Sequence, residues 1–77
     1  MKIELLGTQC SNCVALEKIV KDAIAQSGQF IEFEKISDLG KMISYGVSST
    51  PTLVIDAKVV SVGKVLTVEE VLSLIQQ

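Results

Sequence analysis

The opening stretch of the chain is patterned so that it permits one local fold. Ile3-Glu4-Leu5-Leu6 is an apolar run with strand character, and Leu16, Ile19, Val20, Ala23 and Ile24 then recur at i, i+3, i+4, i+7 and i+8. That recurrence is a single apolar stripe on a helix, predicted from about Ser11 to Ser27, with Gly28 as its stop. Glu17 and Lys21 fall four apart on the opposite face. A second strand is predicted from Phe30 to Lys35, where Ile31 and Phe33 alternate with Glu32 and Glu34. Strand, helix and strand in that order demand a parallel pair joined by a right-handed crossover.

The first strand-to-helix junction carries Cys10-Ser11-Asn12-Cys13, and these are the only cysteines in the chain. The placement suits thiol chemistry. Unpaired N–H groups and the macrodipole at a helix start stabilise an anion, so Cys10 should ionise more readily than an ordinary thiol. Thiolates so placed titrate at about 3.5–7.5. Cys13, one turn on, can reach back to attack a mixed disulfide formed at Cys10.

The rest of the chain continues the layering. Ser37 or Asp38 caps a short second helix with Leu39, Met42 and Ile43 directed inward and Gly46 at its end. Thr52 to Ile55 is a continuous apolar strand, Asp56-Ala57 a tight connection, and Lys58 to Val62 a fourth strand pairing as a hairpin. Thr67 and Glu70 then form a capping box ahead of Val68, Val71, Leu72 and Ile75. The expected order is β-α-β-α-β-β-α, an α/β fold with a four-stranded mixed sheet and helices on both faces. Phe30, Phe33, Met42 and Tyr45 are expected in the packing, and Glu32 and Glu34 on a solvated edge. The 77 residues make one domain, residues 1–77.

Composition narrows the chemistry. The chain lacks histidine, which removes the commonest general base and most metal and nucleophile–histidine schemes. Its net charge is −2, without arginine and with scattered lysines, so no basic face offers itself to nucleic acid. Met1 to Leu6 is too short for a signal peptide's apolar core and no later run is long enough to cross a membrane, so a cytoplasmic protein is expected. Thiols there are mostly kept reduced, and closing a four-residue loop contributes only about 2 kcal/mol. Both points argue against a structural disulfide.

The sole proline lies in Ser48-Ser49-Thr50-Pro51-Thr52. On its own it would simply start the third strand, where it cannot donate to the ladder. Taken with Cys10-Ser11-Asn12-Cys13, Tyr45-Gly46-Val47, Gly63 and the Thr67-Val68-Glu69-Glu70 helix start, it gives a chain that resembles the thioredoxin superfamily over nearly its whole length. In particular the chain resembles the short thioredoxin- or glutaredoxin-like redox-active disulfide proteins. The resemblance implies Cys10 as exposed nucleophile and Cys13 as resolving thiol. It implies a cis Pro51 packed against the pair, with the Thr50 backbone offering strand-like hydrogen bonds to substrate. Gln9, Ser11 and Asn12 are candidates for substrate contact; loop solvation and helix starting are their plainer roles. The chain departs from the family in having neither Trp-Cys-Gly-Pro-Cys nor Cys-Pro-Tyr-Cys, no Gly-Gly-acid glutathione contact, and no evident buried acid–lysine pair.

The function expected is thiol–disulfide exchange by a monomer without a cofactor, acting on a disulfide-containing protein and renewed by a reducing partner. No membrane or nucleic-acid partner is expected. One alternative is a soft-metal module that holds copper or zinc on the same two cysteines. Another is an adaptor of the same fold whose cysteine pair is vestigial or regulatory.

Overall fold

The computed structural model describes residues 1–7, 10–47 and 49–76, without the side chain of Leu39. The elements are β1 (Lys2–Leu6), α1 (Ser11–Ser27), β2 (Glu32–Ile36), α2 (Leu39–Ser44), β3 (Thr52–Ile55), β4 (Lys58–Val62) and α3 (Val68–Ile75). The sheet runs β2-β1-β3-β4. β1 pairs β2 in parallel, as the crossover requires, and β3 antiparallel, while β3 and β4 form the hairpin.

Side chains alternate across the two central strands, and each set meets a different layer. Ile3, Leu5, Leu53 and Ile55 face Leu16, Val20 and Ala23 of α1 and Val71 and Ile75 of α3. Leu6 and Val54 face the other way, onto Ile36 and Met42, with Tyr45 and Val47 packed alongside. Helices therefore cover both faces, α1 and α3 on one and α2 on the other. β3 is buried along its length, as its unbroken apolar run leads one to expect. No helix among the described residues is long and apolar enough to cross a membrane.

Three expectations are corrected. The second strand begins at Glu32 and ends at Ile36 because its register is set by β1, Lys2 opposite Glu32 and Leu6 opposite Ile36. Phe30 lies ahead of that register and is fully exposed at 100% rather than in the core. Ile43 is 65% exposed, since the α2 layer turns Met42 and not its neighbour toward the sheet. Leu39, the remaining member of that trio, has its side chain outside the described residues. Asp38 is the cap of α2, its carboxylate accepting from Gly40 N–H at 2.8 Å.

The hairpin turn holds Asp56 and Ala57 at φ 50° and 67°. Two successive positive φ values match the right-handed twist of the strands. Asp56 is tied to β1 twice, through its N–H to the Lys2 carbonyl and its carboxylate to the Lys2 N–H, each at 2.9 Å.

Candidate functional site

Cys10 is itself the N-cap of α1. Its backbone is extended (φ −75°, ψ 160°), and its sulfur takes the place of the oxygen that usually accepts there. The Cys13 N–H donates to Cys10 Sγ at 3.1 Å, and the Cys10 carbonyl accepts from Val14 N–H at 3.0 Å. Both cysteines are in the dithiol form, Cys10 half-buried and Cys13 wholly buried. The Cys10 thiol is held below the ordinary cysteine range. The Cys13 thiol hydrogen bond is the largest cause; the Cys13 and Asn12 N–H groups add to it, and burial opposes. All of these except burial stabilise the charged form.

Ser11 and Asn12 occupy the exposed first turn of α1 beside Cys10. Gln9 and Thr8 lie outside the described residues. The loop before β3 reaches the same place from the other side. A methyl group built on Gly7 would stand 2.7 Å from Cys13 Sγ and 3.6 Å from Thr50 Cβ, so the buried thiol and Thr50 close on one point at the end of β1. The Thr50–Pro51 peptide is cis. Pro51 is fully buried, so what this loop turns to solvent is Ser49 and Thr50. Two bonds clamp it: Thr52 Oγ1 donates to the Ser49 carbonyl at 2.7 Å, and Gly63 N–H to the Pro51 carbonyl at 2.8 Å.

The structure also holds a buried acid on β1 with an exposed lysine of α2 beside it. Glu4, only 4% exposed on β1, accepts from Tyr45 Oη–H at 2.7 Å and lies 3.6 Å from Lys41 Nζ. The usable signal is its position: an acid inside an apolar strand covered on both faces has nowhere wet to go. The Tyr45 hydroxyl is pushed above the ordinary phenol range, first by that hydrogen bond and then by burial. Among the described residues no group of three or more cysteine, aspartate or glutamate side chains is arranged to hold a metal ion.

An α/β sheet that sets two thiols at a helix start, against the loop entering a buried strand, defines a dithiol protein of the thioredoxin-like class. A family model described as a thioredoxin domain matches residues 1–76, so the chain belongs to the thioredoxin-domain family. It is similar to a thioredoxin from Methanothermobacter thermautotrophicus, 37% identical over 71 residues that cover 92% of each chain.

Proposed function

We propose that this chain is a small thiol–disulfide oxidoreductase whose working pair is Cys10 and Cys13. The reading is carried by one observation: Cys10 Sγ caps α1 and takes hydrogen bonds from Cys13, so the more accessible member of the pair is the one supported as a thiolate. In the exchange, Cys10 thiolate attacks a substrate disulfide. A Cys10–substrate bond forms, and the other substrate sulfur leaves as a thiolate and takes a proton. Cys13 then loses its proton and attacks Cys10 Sγ, releasing the second substrate thiol. Two electrons have passed to the substrate, and the pair remains as a Cys10–Cys13 disulfide until a thiol reductant reverses the sequence. Thr50, exposed on the loop that approaches Cys13, suits contact with an extended substrate segment, with the exposed Ser11 and Asn12 at its border. The setting proposed is the cytoplasm, where a thiol pool keeps the pair reduced. The partners proposed are a disulfide-containing protein and a reductant, and the working form a monomer.

Cys13→Ser should trap a mixed disulfide at Cys10 when the reduced protein meets insulin or cell extract, whereas Cys10→Ser should trap none. Because the Cys10 value is depressed, its alkylation should hold as pH falls below the ordinary thiol range and drop only as pH passes the lowered value. Preferential alkylation of Cys13, or tight stoichiometric copper(I) binding without insulin reduction, would overturn the reading.

A further inference from the structure

Three glycines need their freedom for the backbone: Gly28, Gly46 and Gly63 lie at φ 68°, 74° and 71°. Gly7 does not, because its φ lies outside the left-handed region and any residue could adopt it. Its constraint is steric. A Cβ at position 7 would meet Cys13 Sγ at 2.7 Å, well inside the 3.5–4.0 Å at which non-bonded heavy atoms typically rest. The backbone there is tied to the sheet, since the Gly7 N–H is bonded to the Ile36 carbonyl of β2 at 2.9 Å. The sulfur can yield only by turning about its one torsion, off its rotamer or into another. A cysteine side chain has one torsion to its sulfur and three staggered wells, one of them rare in a helix. Cys13 and Leu16 are both wholly buried, so the start of α1 is held where it is.

We propose that Gly7 is a positioning residue for the resolving thiol: the missing side chain at the end of β1 is the seat that holds Cys13 Sγ toward Cys10. The inference rests on the exchange reading above, in that it gives Cys13 the resolving role. Filling the seat turns Sγ away from the place it now holds. The Cys13 thiol then no longer supports the Cys10 thiolate, and its line of attack on a mixed disulfide is lost. The same methyl would lie in ordinary contact with Thr50 Cβ, so the disturbance is expected at the sulfur and not at the loop.

The test is a cycle of four full-length reduced proteins: native, Gly7→Ala, Cys13→Ala and the double variant. For each, the rate of Cys10 alkylation by iodoacetamide is followed against pH, with urea unfolding alongside. Gly7→Ala should move the midpoint upward and slow alkylation at neutral pH by about threefold to tenfold. Added to Cys13→Ala it should move the midpoint no further, because the sulfur it displaces is already gone. An unmoved midpoint in Gly7→Ala, or an equal shift in both backgrounds, overturns the proposal. If Gly7→Ala alone does not fold, the double variant must fold, since removing Sγ removes the clash; a double variant that also fails overturns it. Alkylation needs no substrate disulfide. A native protein that cannot reduce insulin would therefore sink the exchange reading while this cycle still gives its own answer.

Discussion

Glu4 puts a carboxylate on a strand that both neighbouring layers keep dry, and its partners come from α2 and the residue that caps its end. Tyr45 Oη–H and Lys41 Nζ approach different oxygens of the one carboxylate. A buried acceptor that loses its donor keeps the cost of desolvation without the bond that offset it. Tyr45→Phe removes the hydroxyl and keeps the ring, so it should lower the urea midpoint of unfolding by more than an ordinary surface change. The pH dependence gives the sign. The Tyr45 value is raised in the folded state, so the bond's stabilisation is fully present below the ordinary phenol range near 10.0 and is lost as pH rises through the raised value. The gap between native protein and Tyr45→Phe should therefore close in strong alkali; a constant gap would assign the loss to packing. The burial of Glu4 was legible only in part: its place inside an apolar strand signals it, but β1 lying between β2 and β3 is a matter of distant pairings. The placement of Cys10 and Cys13 at the start of α1 was legible because a strand, a helix start and a three-residue spacing are local. The contact of Gly7 with Cys13 and Thr50 joins three separate segments, and no local pattern announces it.

At the scale of elements, α3 is where local chemistry and final structure agree most closely. Thr67 N–H donates to Glu70 Oε1 at 3.0 Å, and Glu70 N–H donates to Thr67 Oγ1 at 3.1 Å, closing the capping box read from Thr67 and Glu70. Removing one half leaves an end N–H to water, so Thr67→Ala should cost about 1 kcal/mol in urea titration. A change below about 0.3 kcal/mol would mean that packing of Val71 and Ile75 alone fixes the helix start. β2 shows the opposite case. Its alternation was readable, but its ends follow from the register with β1, and that is why Phe30 was misplaced. In α2, a six-residue helix on a small layer covers only one narrow face, so a stripe that included Ile43 asked too much of it.

Across the whole molecule the sheet divides two unequal cores. Among the described residues ten buried side chains unite β1, β3, α1 and α3, whereas four make up the core under α2. Each fully buried aliphatic side chain contributes about 1.5–3 kcal/mol, so the α2 layer is held by far less than its counterpart. Local opening should follow that division. In native-state hydrogen exchange, the amides of Tyr45, Gly46 and Val47, which bond back into α2, should exchange early and with little dependence on urea. Amides within β1 and β3 should exchange only on global unfolding. The opening should also stop short of the site. The Thr50 loop is fastened by Thr52 to its own turn and by Gly63 to the end of β4, neither of which belongs to α2. The Gly63 amide should therefore stay protected while α2 opens. If it exchanges together with Tyr45, the loop and the α2 layer move as one unit, and Thr50 is not held beside the cysteines independently of that layer.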